Sequence, residues 1–188
     1  MPGYNHETVT STFRAFIDRQ IIIMGLFDDV VFRGSPLTSL GDWNKEPGAS
    51  WAPRKSDNLS VVLEVGSSES ANKLATDAKG WLETPGATVE VCLTIDIRND
   101  TELVIDVWRL GARTDGVLSR PSPFQAVREQ HLVIVNNGEE TEVHGWRLLY
   151  NVEKIFNDEL RLESDVFIGR LTPAPHQAIL LVTVSAVH

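Results

Sequence analysis

The chain has 188 residues, 42% of them hydrophobic and 23% charged, which is ordinary for a globular protein and fits a single domain over residues 1–188. Its 17 Lys and Arg stand against 26 Asp and Glu, a formal net charge of −9. This acidic balance disfavours non-specific nucleic-acid binding by the whole surface, although a local basic groove is not excluded. Cys92 is the single cysteine, so it forms no intrachain disulfide, and its apolar surroundings predict a core position.

The first predicted element is a helix over about residues 10–24. Thr10 or Ser11 is the predicted N-cap, and Gly25 suits the end of the helix. The residues that follow a spacing of three and four are Phe13, Phe16, Ile17, Gln20, Ile21 and Met24. This spacing is typical of one helix face that packs on a core.

A short extended region follows the helix. Leu26 to Phe32 predicts a strand that is interrupted at Asp28-Asp29, and these two acids favour a turn over a metal site. Residues 34–58 are rich in Gly, Pro, Ser and Asp, which predicts a loop with a short strand near residues 50–53.

Two tryptophans, Trp43 and Trp51, lie in the predicted loop. A tryptophan in a loop usually packs down on the body of the protein, because its ring is large and apolar. Whether these rings only fill the core or also form the rim of a pocket is left open by the sequence.

The centre of the chain predicts a buried strand and a helix. Leu59 to Val65 is a short apolar run with Glu64 inside it, and a buried carboxylate is costly unless it is paired, protonated or bound to a metal. The hydroxyls and the acid of residues 67–70 predict a helix start, and Pro85-Gly86 predicts its end after Glu83. The predicted apolar face of this helix comprises Ala71, Leu74, Ala75, Ala78, Trp81 and Leu82.

The helix leads into a strand over Thr88 to Ile97, which makes a βαβ crossover with a parallel strand pair. A hairpin turn at Asn99-Asp100 connects this strand to another over residues 102–110. The remaining predicted elements are a loop over 113–128, strands over 131–135 and 143–150, one helical turn over 152–156 and a strand over 179–187. The fold class is therefore α+β with an α/β-like core, a mixed sheet and additional carboxyl-terminal β elements.

Most catalytic motifs are missing from the sequence. It contains no Gly-rich phosphate loop, no HExxH, no GxSxG and no CxxC. The five histidines, among them His131, are scattered without metal-ligand spacing and favour structural or surface positions. The chemistry that remains is that of carboxylates around Glu64.

Glu64 on a central strand suits a hard cation such as Mg²⁺, which takes carboxylate, phosphate and water oxygens. Such a metal can activate water and stabilise charge on a phosphodiester, and a nearby lysine would assist. Glu69 and Lys73 lie on the first turns of the following helix, close to the end of the Glu64 strand, and Asp77 lies one turn on. Both acids are four residues from Lys73, so exposed helix ion pairs are the alternative.

The run from Leu59 to Ser70, with Leu74, Asp77-Ala78 and Trp81-Leu82, resembles a group of fungal proteins of the PD-(D/E)XK restriction-endonuclease-like superfamily. The layout is also similar to a large bacterial family of endonuclease-like proteins, in which a Pro-Asp strand precedes a Glu-Val strand and a helix. The resemblance covers most of the chain and implies a restriction-endonuclease-like mixed sheet flanked by helices.

Carried over to this chain, the resemblance makes Glu64 the metal-binding and catalytic acid of the motif. The motif lysine falls on Gly66, and on the following helix Lys73 is the nearest replacement and Lys79 the next. The motif aspartate falls on Gly48, after Pro47. The implied site therefore has Glu64 and Lys73 as catalytic residues. Glu69 and Asp77, the two acids on the helix after the Glu64 strand, are its binding residues.

Two functions stay open at this point. One is a Mg²⁺-dependent phosphodiesterase that acts on nucleic acid. The other is a nuclease-fold protein that has lost catalysis and serves as a binding or interaction module. A small-molecule enzyme that reuses the pocket is a third and weaker reading. The sequence shows no signal peptide or membrane span, which predicts an intracellular protein, cytoplasmic or nuclear, and it leaves a homo-oligomer open.

Overall fold

The computed structural model describes residues 4–67, 71–98, 101–112, 124–136 and 141–144. These ranges contain two helices, α1 (Tyr4–Ile23) and α2 (Ala71–Glu83). The strands in the same ranges are β1 (Val30–Gly34), β2 (Thr38–Leu40), β3 (Trp43–Lys45), β4 (Ala49–Pro53), β5 (Val61–Ser67), β6 (Val91–Arg98), β7 (Glu102–Ala112), β8 (Phe124–Asn136) and β9 (Thr141–His144). The predicted α+β class is confirmed.

Seven strands form one mixed sheet in the order β1-β4-β5-β6-β7-β8-β9, while β2 and β3 form a separate two-stranded hairpin. The pair β5 and β6 is parallel, and the other neighbouring pairs of the sheet are antiparallel. Parallel neighbours need a long crossover connection, which α2 supplies. The predicted βαβ unit is therefore confirmed, and it places the end of β5 beside the start of α2.

Helix α1 covers one face of the sheet. Phe13 and Ile17 of the helix share a core with Val61, Leu63 and Val65, which are alternate residues of β5. Successive side chains of a strand point to opposite faces of its sheet, so these three residues define the α1 side. The alternation also sets the side on which Glu64 lies.

Helix α2 covers the opposite face. Its residues Ala78 and Trp81 share a second core with Val62 of β5 and Cys92 of β6. Cys92 is fully buried, which confirms its predicted core position. Glu64 belongs to the same alternate set as Val62, so β5 directs this carboxylate toward α2.

The predicted start of the first helix is wrong by about six residues. Helix α1 begins at Tyr4, and Thr10 lies inside it, where its Oγ1 donates a hydrogen bond to the His6 carbonyl oxygen at 2.8 Å. A threonine that bonds back to the carbonyl four residues earlier is a helix-interior residue, not an N-cap. The predicted stop is confirmed, because Gly25 follows the helix with a φ of 73°.

Two of the predicted loops contain strands. The segment 34–58 contains the hairpin of β2 and β3, which the sequence does not predict. It also contains β4, which confirms the short strand predicted near residues 50–53. The predicted loop over 113–128 is wrong from Phe124 onward, because β8 begins there and pairs with β7 from Ala112↔Phe124. Long cross-strand pairing overrides a local sequence that favours a turn.

Several predicted elements lie outside the described residues. They are the turn at 99–100, the strand residues 145–150, the helical turn at 152–156 and the strand at 179–187. Within the described ranges, neither helix combines the length and the hydropathy that crossing a bilayer requires.

Candidate functional site

A cavity of about 460 Å³ lies between α1 and α2, at the point where β4 stops pairing with β5. The β4–β5 ladder ends at Ala49↔Leu63, whereas β5 continues to Ser67. The residues that line the cavity are His6, Glu7, Thr10, Ser35, Lys45, Glu46, Pro47, Gly48, Glu64, Val65, Gly66, Lys73, Leu74 and Asp77.

The end of the ladder has a local cause. Continuing the register would bring Pro47 opposite Val65, and proline has no N–H to donate to a neighbouring strand. Instead, His6 Nε2 lies 3.0 Å from the Val65 carbonyl oxygen and donates to it in the tautomer that carries Nε2–H. The His6 side chain of α1 thus takes the place of a β4 hydrogen-bond partner at Val65. The cavity lies beside the part of β5 that β4 does not pair with.

Glu64 is buried at the inner end of this cavity, with only 6% of its surface exposed. Its Oε1 accepts a hydrogen bond from Trp81 Nε1 at 2.6 Å, and its Oε2 lies 3.5 Å from Lys45 Nζ. Burial raises the pKa of Glu64 from 4.5 to about 7, and the nearby charge of Asp77 adds to this rise. Lys45 and the Trp81 hydrogen bond pull the pKa down, but burial outweighs them.

Lys45 joins the two acids. Its Nζ lies 2.5 Å from Asp77 Oδ2, in addition to its contact with Glu64. The Lys45 and Asp77 side chains are 18% and 15% exposed, so the pair is largely withdrawn from water. Both oxygens of Glu64 therefore already have a partner within the protein, and one ammonium group faces two carboxylates.

The predicted site residues divide into two groups. Glu64, Lys73 and Asp77 line the same cavity, which brings together three residues that were singled out from the sequence. Glu69 lies outside the described residues. Asp77 pairs with Lys45 across the fold, so its partner is not the lysine four residues away that the helix-pair alternative names.

The two glycines at the motif positions have different surroundings. Gly48 lines the cavity, and a Cβ there would lie 3.1 Å from the Leu63 carbonyl oxygen, tighter than ordinary van der Waals contact. Gly66 is the β5 partner of Asp96 on β6. Asp96 is 4% exposed and its Oδ2 accepts a hydrogen bond from Arg98 Nε at 2.8 Å. Its Oδ1 is buried and finds no partner among the described residues.

A polar row continues from Glu64 across the sheet. The register places Thr94 of β6 beside Glu64, Asp106 of β7 beside Thr94, and His131 of β8 beside Asp106. Trp108 Nε1 donates to Thr94 Oγ1 at 3.1 Å, and His131 Nδ1 lies 2.6 Å from Asp106 Oδ1. His131 is exposed, which is one of the two kinds of position, structural or surface, that the sequence predicts for the histidines.

Lys45 is the site residue that sequence reasoning missed. It lies in a segment predicted as a loop, 19 residues before Glu64 and 32 before Asp77. The available signal was Trp43, since residues two apart on a strand share a face, and a buried Trp43 would carry Lys45 inward with it. Recognising that signal would have required the hairpin to be predicted first.

The arrangement does not fit a metal ion as it stands. An ammonium group occupies the space between the two carboxylates, and a hard cation would have to displace it to reach Glu64 Oε2. In the described part of the chain, no three His, Cys, Asp or Glu side chains are grouped to hold a metal.

Comparison of the chain with protein-family models, curated proteins and solved structures gives no match.

Proposed function

We propose that this chain is a catalytically degenerate nuclease-fold protein whose cavity serves binding or interaction rather than metal-dependent cleavage. The restriction-endonuclease-like assignment is supported by the mixed sheet with one helix on each face and by the buried acid of β5 before the crossover helix. The observation that carries the loss of catalysis is the Lys45 ammonium, which bridges Glu64 and Asp77.

The electrostatic argument favours lysine over a metal at this position. Breaking a buried ion pair leaves an uncompensated charge and costs about 3–5 kcal/mol. A divalent cation that entered between Glu64 and Asp77 would compensate the carboxylates itself, but it would first have to displace the Lys45 ammonium from both of its ion pairs. The ammonium therefore already occupies the position between the two carboxylates that a metal ion would take.

The cavity has the dimensions of a ligand site. Its volume of about 460 Å³ falls within the range of about 300–1,000 Å³ that is usual for small-molecule pockets. Its wall carries both signs of charge, with Glu7 and Glu46 on one hand and Lys73 on the other, together with the Thr10 and Ser35 hydroxyls. The ligand that fits this lining is polar and forms several hydrogen bonds.

A metal titration combined with a cleavage assay tests the proposal. The wild type is expected to show no Mn²⁺-dependent thermal shift and no Mn²⁺- or Mg²⁺-dependent cleavage of single- or double-stranded DNA or RNA. Lys45→Met removes the ammonium, and Lys73→Met is the matched control, because it deletes a lysine of the same cavity that forms no ion pair with Glu64 or Asp77. A Mn²⁺ shift that is gained only in Lys45→Met would support the proposal.

The phosphodiesterase is the second candidate, favoured by the presence of Lys73 and Glu64 in one cavity. Metal-dependent cleavage by the wild type that is lost in both Glu64→Gln and Lys73→Met would establish this candidate and overturn the first. Glu64→Gln keeps the shape and the Trp81 hydrogen bond, so a loss of cleavage would report on the charge of the carboxylate.

A further inference from the structure

The hairpin formed by β2 and β3, residues 38–45, stands apart from the main sheet and reaches α2 through two side chains. Its strands pair with each other through Thr38↔Lys45 and Leu40↔Trp43. Trp43 and Lys45 are two residues apart on β3 and share a face, while Asn44 between them is exposed. One side chain supplies an apolar contact to α2 and the other supplies a charge.

The apolar contact depends on a glycine in the last turn of α2. A Cβ at Gly80 would lie 2.6 Å from two ring carbons of Trp43 and 2.7 Å from its Nε1. The Trp43 ring also meets Trp81 edge to face, with centroids 4.7 Å apart and an interplanar angle of 86°. Glycine within a helix is less favourable for stability than alanine. The space that the Trp43 ring requires explains why residue 80 is glycine.

The charged contact lies at the inner end of the cavity. Lys45 covers Glu64 Oε2 and pairs with Asp77. The Trp43 ring occupies the space that a side chain at residue 80 would take, and this space is the Gly80 notch. Because Trp43 and Lys45 lie on one short strand, a movement of the hairpin that removes Trp43 from the notch also withdraws Lys45 from the carboxylates. The two contacts therefore form and break together.

We propose that the hairpin 38–45 is a gate, which the docking of Trp43 against Gly80 keeps closed and which closes Glu64 off from ligands in the cavity. This inference rests on the proposed binding function, because it describes how Glu64 and Asp77 become accessible within that cavity. In the closed state Lys45 is an autoinhibitory contact, and in the open state the Glu64 and Asp77 carboxylates become accessible to a polar ligand.

The test is carboxylate labelling of the native protein. A water-soluble carbodiimide couples glycine methyl ester to accessible carboxylates, and mass spectrometry gives the rate at each acid. Asp57, whose side chain is fully exposed, is the internal standard in every sample. Gly80→Ala fills the notch without changing any charge, and Thr76→Ala is the matched control, since it places alanine at an exposed position of the same helix.

The gate predicts that Glu64 is labelled about tenfold faster in Gly80→Ala than in the wild type, the factor that corresponds to about 1.4 kcal/mol of lost docking. Labelling in Thr76→Ala should equal the wild type. Cys92 must stay unreactive toward a thiol reagent in the native variant, which verifies that the core under α2 is intact. If Gly80→Ala fails this check, Trp43→Ala removes the ring while keeping the glycine, and the same increase is expected.

Equal labelling of Glu64 in the wild type and in a folded Gly80→Ala or Trp43→Ala protein would overturn the gate. That outcome leaves the proposed function standing, because labelling requires neither metal nor cleavage. Conversely, metal-dependent cleavage by the wild type would overturn the proposed function without changing the labelling rates. The two ideas therefore fail separately.

Discussion

The raised pKa of Glu64 makes the stability of the protein depend on pH in a direction that can be worked out. Folding moves this pKa from 4.5 to about 7, so the folded state holds the proton more tightly than the unfolded state. Stability from this group is fully present below pH 4.5, falls as the pH rises through the interval from 4.5 to 7, and is lost above it. At about 1.4 kcal/mol per pKa unit, the loss amounts to about 3 kcal/mol.

Glu64→Gln isolates this effect. The amide is neutral at every pH, its oxygen can still accept the Trp81 Nε1 hydrogen bond, and Lys45 keeps Asp77 as a partner. We expect the variant to match the wild type near pH 4 and to exceed its free energy of unfolding by about 3 kcal/mol at pH 8. The other titrating groups are common to both proteins and cancel in the difference.

The assay is urea unfolding followed by tryptophan fluorescence, at intervals from pH 4 to pH 8. Glu46→Gln is the matched control, because it makes the same chemical change at an exposed residue of the same cavity. Its unfolding free energy should run parallel to that of the wild type. A difference between Glu64→Gln and the wild type that stays constant over this pH range would refute the argument.

Three further predictions follow from the buried contacts. Lys45→Met should lose about 3–5 kcal/mol at pH 8 in the same urea assay, because Glu64 is left without a cation, and unchanged stability would contradict this. Trp81→Phe removes the donor to Glu64 and should cost about 1.5–3 kcal/mol at pH 8, where the acceptor is charged, and less at pH 4, where it is protonated, so equal losses at the two pH values would contradict this. Cys92, fully buried and with a pKa raised by burial, should react with a thiol reagent only on unfolding, so rapid native labelling would refute its placement.

The central βαβ unit could be predicted from the sequence because its signals are local. The apolar run around Glu64 marks a strand buried on both faces, and the spacing from Leu74 to Leu82 marks a helix with one apolar side. The anomaly of a charge inside an apolar run also located the candidate site. Burial of Glu64 in the structure agrees with that prediction.

The partner of Glu64 could not be predicted in the same way. Lys45 reaches the site from a three-residue strand, which is too short to leave a periodic pattern. Its position depends on Trp43 fitting against Gly80, a contact between residues 37 apart in the sequence. Contacts of this kind follow from tertiary packing, and no local propensity records them.

Lys45 and Gly48 are consistent with each other as features of one site. An aspartate at position 48, which the endonuclease-like motif would carry, would bring another acid to a cavity where Glu64 and Asp77 already share one ammonium. Like charges at close range disfavour ionisation, and the Cβ itself would press on the Leu63 carbonyl oxygen at 3.1 Å. Restoring the acid alone therefore adds charge repulsion and crowding while the ammonium still blocks the carboxylates. Lys45→Met frees the two carboxylates and Gly48→Asp adds a third, so the combined variant should bind Mn²⁺ more tightly than Lys45→Met alone in the same titration. Equal Mn²⁺ affinity of the two variants would contradict the placement of position 48 in the metal site.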